Sequence, residues 1–346
     1  MKKAILGLSL ALVSAASAVA QDAHFTQYFT SPLTLNPALT GLVNEDLRFA
    51  ANYRTQWSTV SSNPYITGTL SYDMAVLKGK LPEGDALGIG LLGLYDKSGS
   101  GGLTNTTVGL SLAYHKAFGR EKQHHLSLGV QADYVQKNLD FSKLTFEDMF
   151  NTSTGALAFP TGTSLAHSNI AYPDFNAGLM YSGRVSDHAT AYFGYSYYHL
   201  TNPVESFLGD NVTIHSRQTA YLGGSFDLNQ NTVLYASALY QSQASATEVM
   251  AGAAVGFILN GGHDEEYQKN TIFYLGAWYR YGDALAPYVA IEWAKMRIGI
   301  SYDANLSSFT PATKTVGAYE LSLLFFGRIN KHEKAQTYNW SCPKVF

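Results

Sequence analysis

The sequence is short of charge, almost free of cysteine, and without a long apolar run beyond its first twenty residues. Asp, Glu, Lys and Arg make up 14% of the 346 residues, where a soluble domain carries about 25%. A surface that poor in charge is not built to face water on every side. The net charge of −3, with no basic patch or stripe, excludes a nucleic-acid partner. A single cysteine, Cys342, excludes an intramolecular disulfide. After the start there is no run of about 18 apolar residues, so no helix is expected to cross a membrane. Catalytic patterns are equally scarce. The ten histidines are scattered, and the adjacent His124 and His125 would point to opposite faces of a strand. There is no G-x-S-x-G elbow and no P-loop, and "GSGG" at 99–102 opens no helix that could bind phosphate. A rim enzyme assembled from separated residues such as Asp96, His167 and His199 has no motif behind it. The expectation is a protein without enzymatic activity, metal or cofactor.

What is present is an export address followed by alternation. Lys2 and Lys3, the short apolar run "AILGLSLALVSAASAVA" and the small residues Ala18-Val19-Ala20 read as a signal peptide over 1–20. From residue 46 onward, segment after segment switches between apolar and small or polar side chains. "TVGLSLAY" sets Val108, Leu110, Leu112 and Tyr114 against Thr107, Gly109, Ser111 and Ala113. "MRIGISYD" sets Met296, Ile298, Ile300 and Tyr302 against Arg297, Gly299, Ser301 and Asp303. A period of two, with 24 tyrosines and few charges, is the pattern of strands that face lipid on one side and an enclosed interior on the other. About fourteen such strands fit between residues 47 and 326; the ninth and tenth, "TVLYASALY" and "VMAGAAVGFIL", alternate most weakly. A soluble β-sandwich would alternate too, but would need the charged outer face that these strands lack. The expected fold is therefore all-β: an antiparallel up-and-down barrel over 46–327 in a bacterial outer membrane, with outer-membrane lipid around it. A tail over 328–346 follows it into the periplasm. Aromatics near strand ends (Tyr53, Tyr72, Tyr114, Tyr134, Trp278, Trp293) would form the interfacial girdles.

Two features point inward. The strand register turns Arg48, Arg54, Arg280 and Arg297 to the lumen beside Asp73, Asp133 and Asp303, because charge on the lipid face would cost about 2–4 kcal/mol at the midplane. Such a set is either an ion-selective constriction or a hydrogen-bonded network in which each Arg forks onto a carboxylate. The stretch ahead of the strands, residues 21–45, holds "HFTQYFTSPLTLNPALTG", with two prolines and no periodicity. A barrel of this strand number needs something to occupy or close its mouth. Phe25, Tyr28, Phe29, Asn36 and Pro37 are the expected core of a plug or lid at the periplasmic mouth.

The same stretch carries a resemblance. Gln27-Tyr28, Asn36-Pro37-Ala38 and Gly41 are similar to the N-terminal signature of the PorP/SprF family of type IX secretion proteins. "NYRTQW", Asn52 to Trp57, resembles that family's first-strand element, and Cys342-Pro343-Lys344 resembles its Cys-Pro ending, with one residue more. The resemblance implies an outer-membrane barrel of the type IX machinery. Its partners would be a secreted surface protein with a C-terminal export domain, such as a gliding adhesin, and periplasmic or lipoprotein components of the secretion motor. It does not choose between SprF-like and PorP-like roles. A diffusion channel for small solutes is the alternative. Long loops at 138–173 and 200–213 would offer the passenger a surface, with Phe146, Met149 and Phe150 either meeting a partner or packing on the rim. In the tail, Trp340 and Cys342 either bind a periplasmic subunit or belong to a frayed end with a free thiol.

Overall fold

The computed structural model describes residues 22–77, 80–99, 102–145, 149–150, 154, 168–207, 209–260 and 271–329. The expected signal peptide, Phe146, and the tail with Trp340 and Cys342 lie outside the described residues. Fourteen strands follow in order: β1 Leu47–Gln56, β2 Tyr65–Val76, β3 Ala86–Ser98, β4 Leu103–Phe118, β5 His124–Asn138, β6 Asn169–Ser186 and β7 Ala189–Tyr198. The second seven are β8 Arg217–Asn229, β9 Thr232–Gln243, β10 Ala246–Asn260, β11 Thr271–Arg280, β12 Ala284–Trp293, β13 Met296–Asn305 and β14 Val316–Gly327. Each pairs antiparallel with its sequence neighbours, and β1 pairs with β14, with Arg54 opposite Glu320, so the sheet closes and no edge is left.

Alternation decides which side chains meet lipid. On β4 Leu110 is 64% exposed while Ser111, its neighbour, is 1% exposed. Tyr53, Tyr72, Tyr114 and Tyr134 face outward, as a girdle requires. Trp278 does not. It is 3% exposed and points into the lumen, where its ring lies 4.8 Å from Phe29. The weak alternation of β9 and β10 has a related cause. Here the inward face is apolar, with Val233, Tyr235, Leu239, Met250, Ala254 and Ile258 buried, while Ala236 pairs with Ala253 and Ala238 with Ala251 on the outer face. Both faces are apolar, so contrast between them is low. The lumen thus has its aromatic cluster on β7–β12, with Arg217, Arg280 and Glu292 beside it, and a more polar face on β13, β14 and β1–β6.

The two ends differ. Both termini of the barrel and the connections 187–188, 230–231 and 294–295 share one end, called here the turn end. The opposite, loop end carries the connections 139–168, 199–216 and 306–315. The barrel wall is also uneven: β4, β5 and β6 have 16, 15 and 18 residues, against 10 in β1, β7 and β11–β13. About 9–11 tilted residues suffice to cross the hydrocarbon, so the β4–β6 wall rises beyond it.

The outward register makes a direct expectation. Leu110→Arg, mid-strand on the lipid face, should lower barrel stability by about 2–4 kcal/mol, whereas Thr106→Arg, near the strand end, should cost about 0–1 kcal/mol. Urea midpoints of the two variants refolded into lipid vesicles check the difference.

Candidate functional site

The site is the lumen, and what fills it is the start of the chain. Residues 25–43 are buried throughout, Thr34 alone being partly accessible. The segment is built from three single helical turns over 28–30, 32–35 and 37–39. Pro32 and Pro37 open the last two, where a missing amide hydrogen costs nothing. The segment is not a lid on one mouth. It starts at the loop end, where Asp22 N donates to Gln243 Oε1 (2.8 Å), and finishes at the turn end, where Asp46 N donates to Gly327 O (3.0 Å). The reason is a lumen that is lined along its whole height with partners for it.

Those partners read the main chain as much as the side chains. Glu320 accepts from the backbone amides of Thr26 (2.7 Å) and Gln27 (2.9 Å), and Asp73 from that of Gly41 (2.6 Å). In the other direction, Tyr198 donates to Leu33 O (3.0 Å), Arg217 to Thr34 O (3.1 Å), Ser196 to Leu35 O (2.7 Å) and Arg48 to Leu39 O (3.0 Å). An irregular backbone away from water needs such replacements for the ladder bonds it lacks.

The residues singled out in the opening stretch all belong to this seating, and Asn52 and Arg54 of the first strand join them. Gln27 donates to Ser301 Oγ (3.0 Å) and accepts from Ser322 Oγ (2.7 Å). Tyr28 donates to Ser237 Oγ (2.6 Å). Asn36 caps the turn over 37–39 by accepting from Ala38 N (2.8 Å), while its amide donates to Leu179 O (3.0 Å) and the Tyr221 hydroxyl (3.1 Å). Gly41 has a φ of +69° and lies against Gly88 and Met74, where no side chain fits. From the first strand, Asn52 donates to Thr30 Oγ1 (2.5 Å), and Trp57 packs edge-on to Tyr65 and Phe309 at the loop end. Phe25 is buried near the loop end, and Phe29 meets Trp278, Tyr28 and Tyr288.

Sequence reasoning did not single out the glycines that make room. A Cβ on Gly129 would overlap Pro37 and Ala38, one on Gly178 would overlap Asn36, and one on Gly88 would overlap Thr40. A glycine at an inward strand position is the available signal, since it marks close approach of another backbone.

The inward charges are neutralised in place. Arg48 forks onto Asp73 through Nε (3.0 Å) and Nη2 (2.8 Å), with neither residue exposed. Arg297 does the same with Glu292 (2.8 and 2.7 Å) and lies over the Tyr274 ring. Arg54 bonds to Glu320, and to Asp303 at 2.9 Å; Arg280 reaches Asp303 (3.2 Å) and Asp283 (3.0 Å). Both guanidinium groups also donate to Thr26 Oγ1, which ties the segment into this cluster. Asp133 is the exception to Arg pairing: it accepts from the amides of Gln131 (3.0 Å) and Asn176 (2.7 Å).

At the loop end His199 joins the segment to the barrel. Its Nδ1 lies 2.7 Å from Asp174 and its Nε2 2.8 Å from Asp22, which is also 3.4 Å from Arg217. Burial disfavours a charged imidazole, but the two carboxylates outweigh it and raise His199 to about 9. For Asp22 burial is likewise outweighed, here by His199 and then Arg217, and its carboxyl is held well below the usual range. The rim around this point is apolar and open: Val60, Leu200, Val204, Val212, Leu306, Phe309 and Tyr281, the last 78% exposed, stand on the loops that join β1–β2, β7–β8, β11–β12 and β13–β14. Met149 is buried and Phe150 exposed.

Among solved structures, the chain is similar to outer-membrane barrels. The toluene transporter TbuX of Ralstonia pickettii aligns with a TM-score of 0.47 and 15% identity, covering 85% of this chain and 92% of that one. A toluene transporter TodX of Pseudomonas putida gives 0.48 and 10%, covering 85% and 91%. A FadL homologue of Pseudomonas aeruginosa gives 0.44 and 11%, covering 84% and 92%. No curated protein matches the sequence. Residues 17–325 match the family model described as type IX secretion system membrane protein PorP/SprF.

Two outcomes test the seating. Arg48→Met leaves the Asp73 carboxylate buried without its partner and should cost about 3–5 kcal/mol, while the Arg48→Met/Asp73→Leu double variant should recover most of that loss; denaturant midpoints in detergent decide. The His199 contribution should be fully present below its ordinary value of 6.5 and be lost as pH rises through about 9. On the acid side the Asp22 contribution should disappear as pH falls below its ordinary 3.8. The stability difference between the native chain and His199→Asn, followed from pH 3 to 10, should show this window.

Proposed function

The chain belongs to the PorP/SprF family of type IX secretion system membrane proteins, a component of that machinery in the bacterial outer membrane, and we propose that it works as a closed docking barrel. In this reading it holds a large secreted surface protein, such as a gliding adhesin, through that protein's C-terminal export domain, and it does not conduct solutes. The observation that carries the proposal is the occupied lumen: residues 25–43 are buried along the barrel axis, and the charges that could line a channel are paired with one another and with the segment.

A barrel whose lumen is occupied by its own chain acts through its surfaces. The lipid-facing wall is committed to the membrane, which leaves the two ends. The turn end has mostly short connections, while the loop end combines long loops with exposed Val204, Val212, Leu306 and Phe309. Val204 and Val212 are exposed on one loop, closed by the Val204–Thr213 bridge, and an apolar patch there serves as a contact surface for another protein. The periplasmic and lipoprotein partners expected from the family would meet the opposite end.

The test uses outer membranes of cells expressing the native chain. Affinity purification should recover a large protein bearing a terminal export domain. Val204→Asp/Val212→Asp should lose it while the barrel remains heat-modifiable in gels. Planar-bilayer recordings of the purified native chain should show no steady open-channel current. Passenger recovery unaffected by the rim variant, together with steady conductance, would replace this reading with the small-solute channel.

A further inference from the structure

Residues 22–43 pass through the barrel once and in one direction. Asp22 bonds to Gln243 and His199 and pairs with Arg217, and these three stand at the loop-end limits of β9, β7 and β8. Next comes Thr26, held by Arg54, Arg280 and Asp303, again on the loop-end parts of their strands. Asn36 is at mid-height on β6 and β7. Thr40 reaches His115 and Ser111, and Gly41 lies against Met74 and Gly88 near the turn end. Beside this single pass a small gap is lined by His24, Tyr28, Thr34, Arg217 and Glu248.

Barrel orientation supplies the other half of the argument. Outer-membrane barrels keep short turns in the periplasm and longer loops outside. Here both barrel termini, Leu47 and Gly327, lie with the short turns, while the loops of 139–168 and 199–216 lie at the opposite end. Resting on the outer-membrane reading above, we infer that residues 22–24 face the cell exterior, although the barrel itself begins and ends on the periplasmic side. Residues 22–24 lie at the base of the loops, beside Glu248, Arg217 and His199. Two contacts hold them there: the Asp22–His199 pair, and His24 Nε2 with Glu248 at 3.0 Å. A partner seated on the loops then meets residues 22–24 as the floor of its site, and the periplasmic components of the machinery have no access to them. The segment also has unequal ends. Its turn-end part is keyed against glycines 88 and 129, whereas residues 22–24 hang on polar and charged contacts that an exterior partner can compete for.

Single cysteines in a Cys342→Ser background decide the matter. Ala23→Cys is compared with Asn63→Cys in the β1–β2 loop and Gln230→Cys in the β8–β9 turn, using a membrane-impermeant biotin maleimide on intact cells and again after outer-membrane permeabilisation. The expected result is labelling of residues 23 and 63 before permeabilisation and of residue 230 only after it. A second variant, with a short epitope inserted between Gln21 and Asp22, should bind antibody on intact cells. Labelling of residue 23 only after permeabilisation, or an epitope hidden on intact cells, would overturn the inference while leaving the docking barrel standing. Reversed labelling of residues 63 and 230 would instead overturn the orientation of the barrel, and the inference with it.

Discussion

A fourteen-stranded cylinder encloses more space than its own inward side chains fill, and the rest of this structure depends on how that space is taken up. The occupant is the chain's own start. It enters as polypeptide with few regular hydrogen bonds, so the barrel wall has to supply donors and acceptors to its backbone. That requirement accounts for Glu320 under the amides of Thr26 and Gln27, for Arg48 and Asp73 around Leu39 and Gly41, and for Ser196 and Tyr198 on the carbonyls of Leu35 and Leu33. It also accounts for the aromatic side of the lumen, where Trp278 and Tyr288 pack on Phe29. Aromatic ring pairs of this kind add about 0.5–1.5 kcal/mol each to the burial of the rings themselves.

Charge in this lumen does a different job from charge in a pore. An open, ion-conducting interior exposes its charges to water. Here Arg48, Arg54 and Arg297 are almost completely buried, and each shares its proton donors between carboxylates and other groups of the lumen or segment. Buried pairs of this kind add little net stability over apolar packing, but removing one partner is costly. They therefore fix an arrangement more than they strengthen it: the segment has one seat, and misplacing it strands several charges at once. Function in such a barrel moves to its ends, where the exposed apolar loops are.

Much of this was legible in the sequence. Alternation reports which side of a wall a residue takes, and the strand number, the register of Leu110 against Ser111 and the inward turn of the arginines followed from it. It does not report what lies across the wall. Trp278 read as a girdle residue because an aromatic near a strand end suits an interface; its partner Phe29 is far away in sequence. The blurred pattern of β9 and β10 came from an apolar lumen on that side, which periodicity alone renders as low contrast. From its prolines and aromatics the opening segment read as a plug or lid at one mouth; its run along the whole axis depends on contacts such as Thr26 with Glu320, across nearly the full length of the chain. Gly129 and Gly178 were the overlooked clue, since an inward glycine in a strand reserves space for something close.

The central claim is that the chain's start fills its own barrel in the membrane. Thr40 and Ser111 test it most directly, because their hydroxyl oxygens lie 2.6 Å apart between segment and wall. In a Cys342→Ser background, Thr40→Cys/Ser111→Cys should form an intramolecular disulfide on mild oxidation of isolated outer membranes, visible as a mobility shift that reductant reverses. Failure to cross-link, with residue 40 instead freely modified by a water-soluble maleimide, would contradict the account.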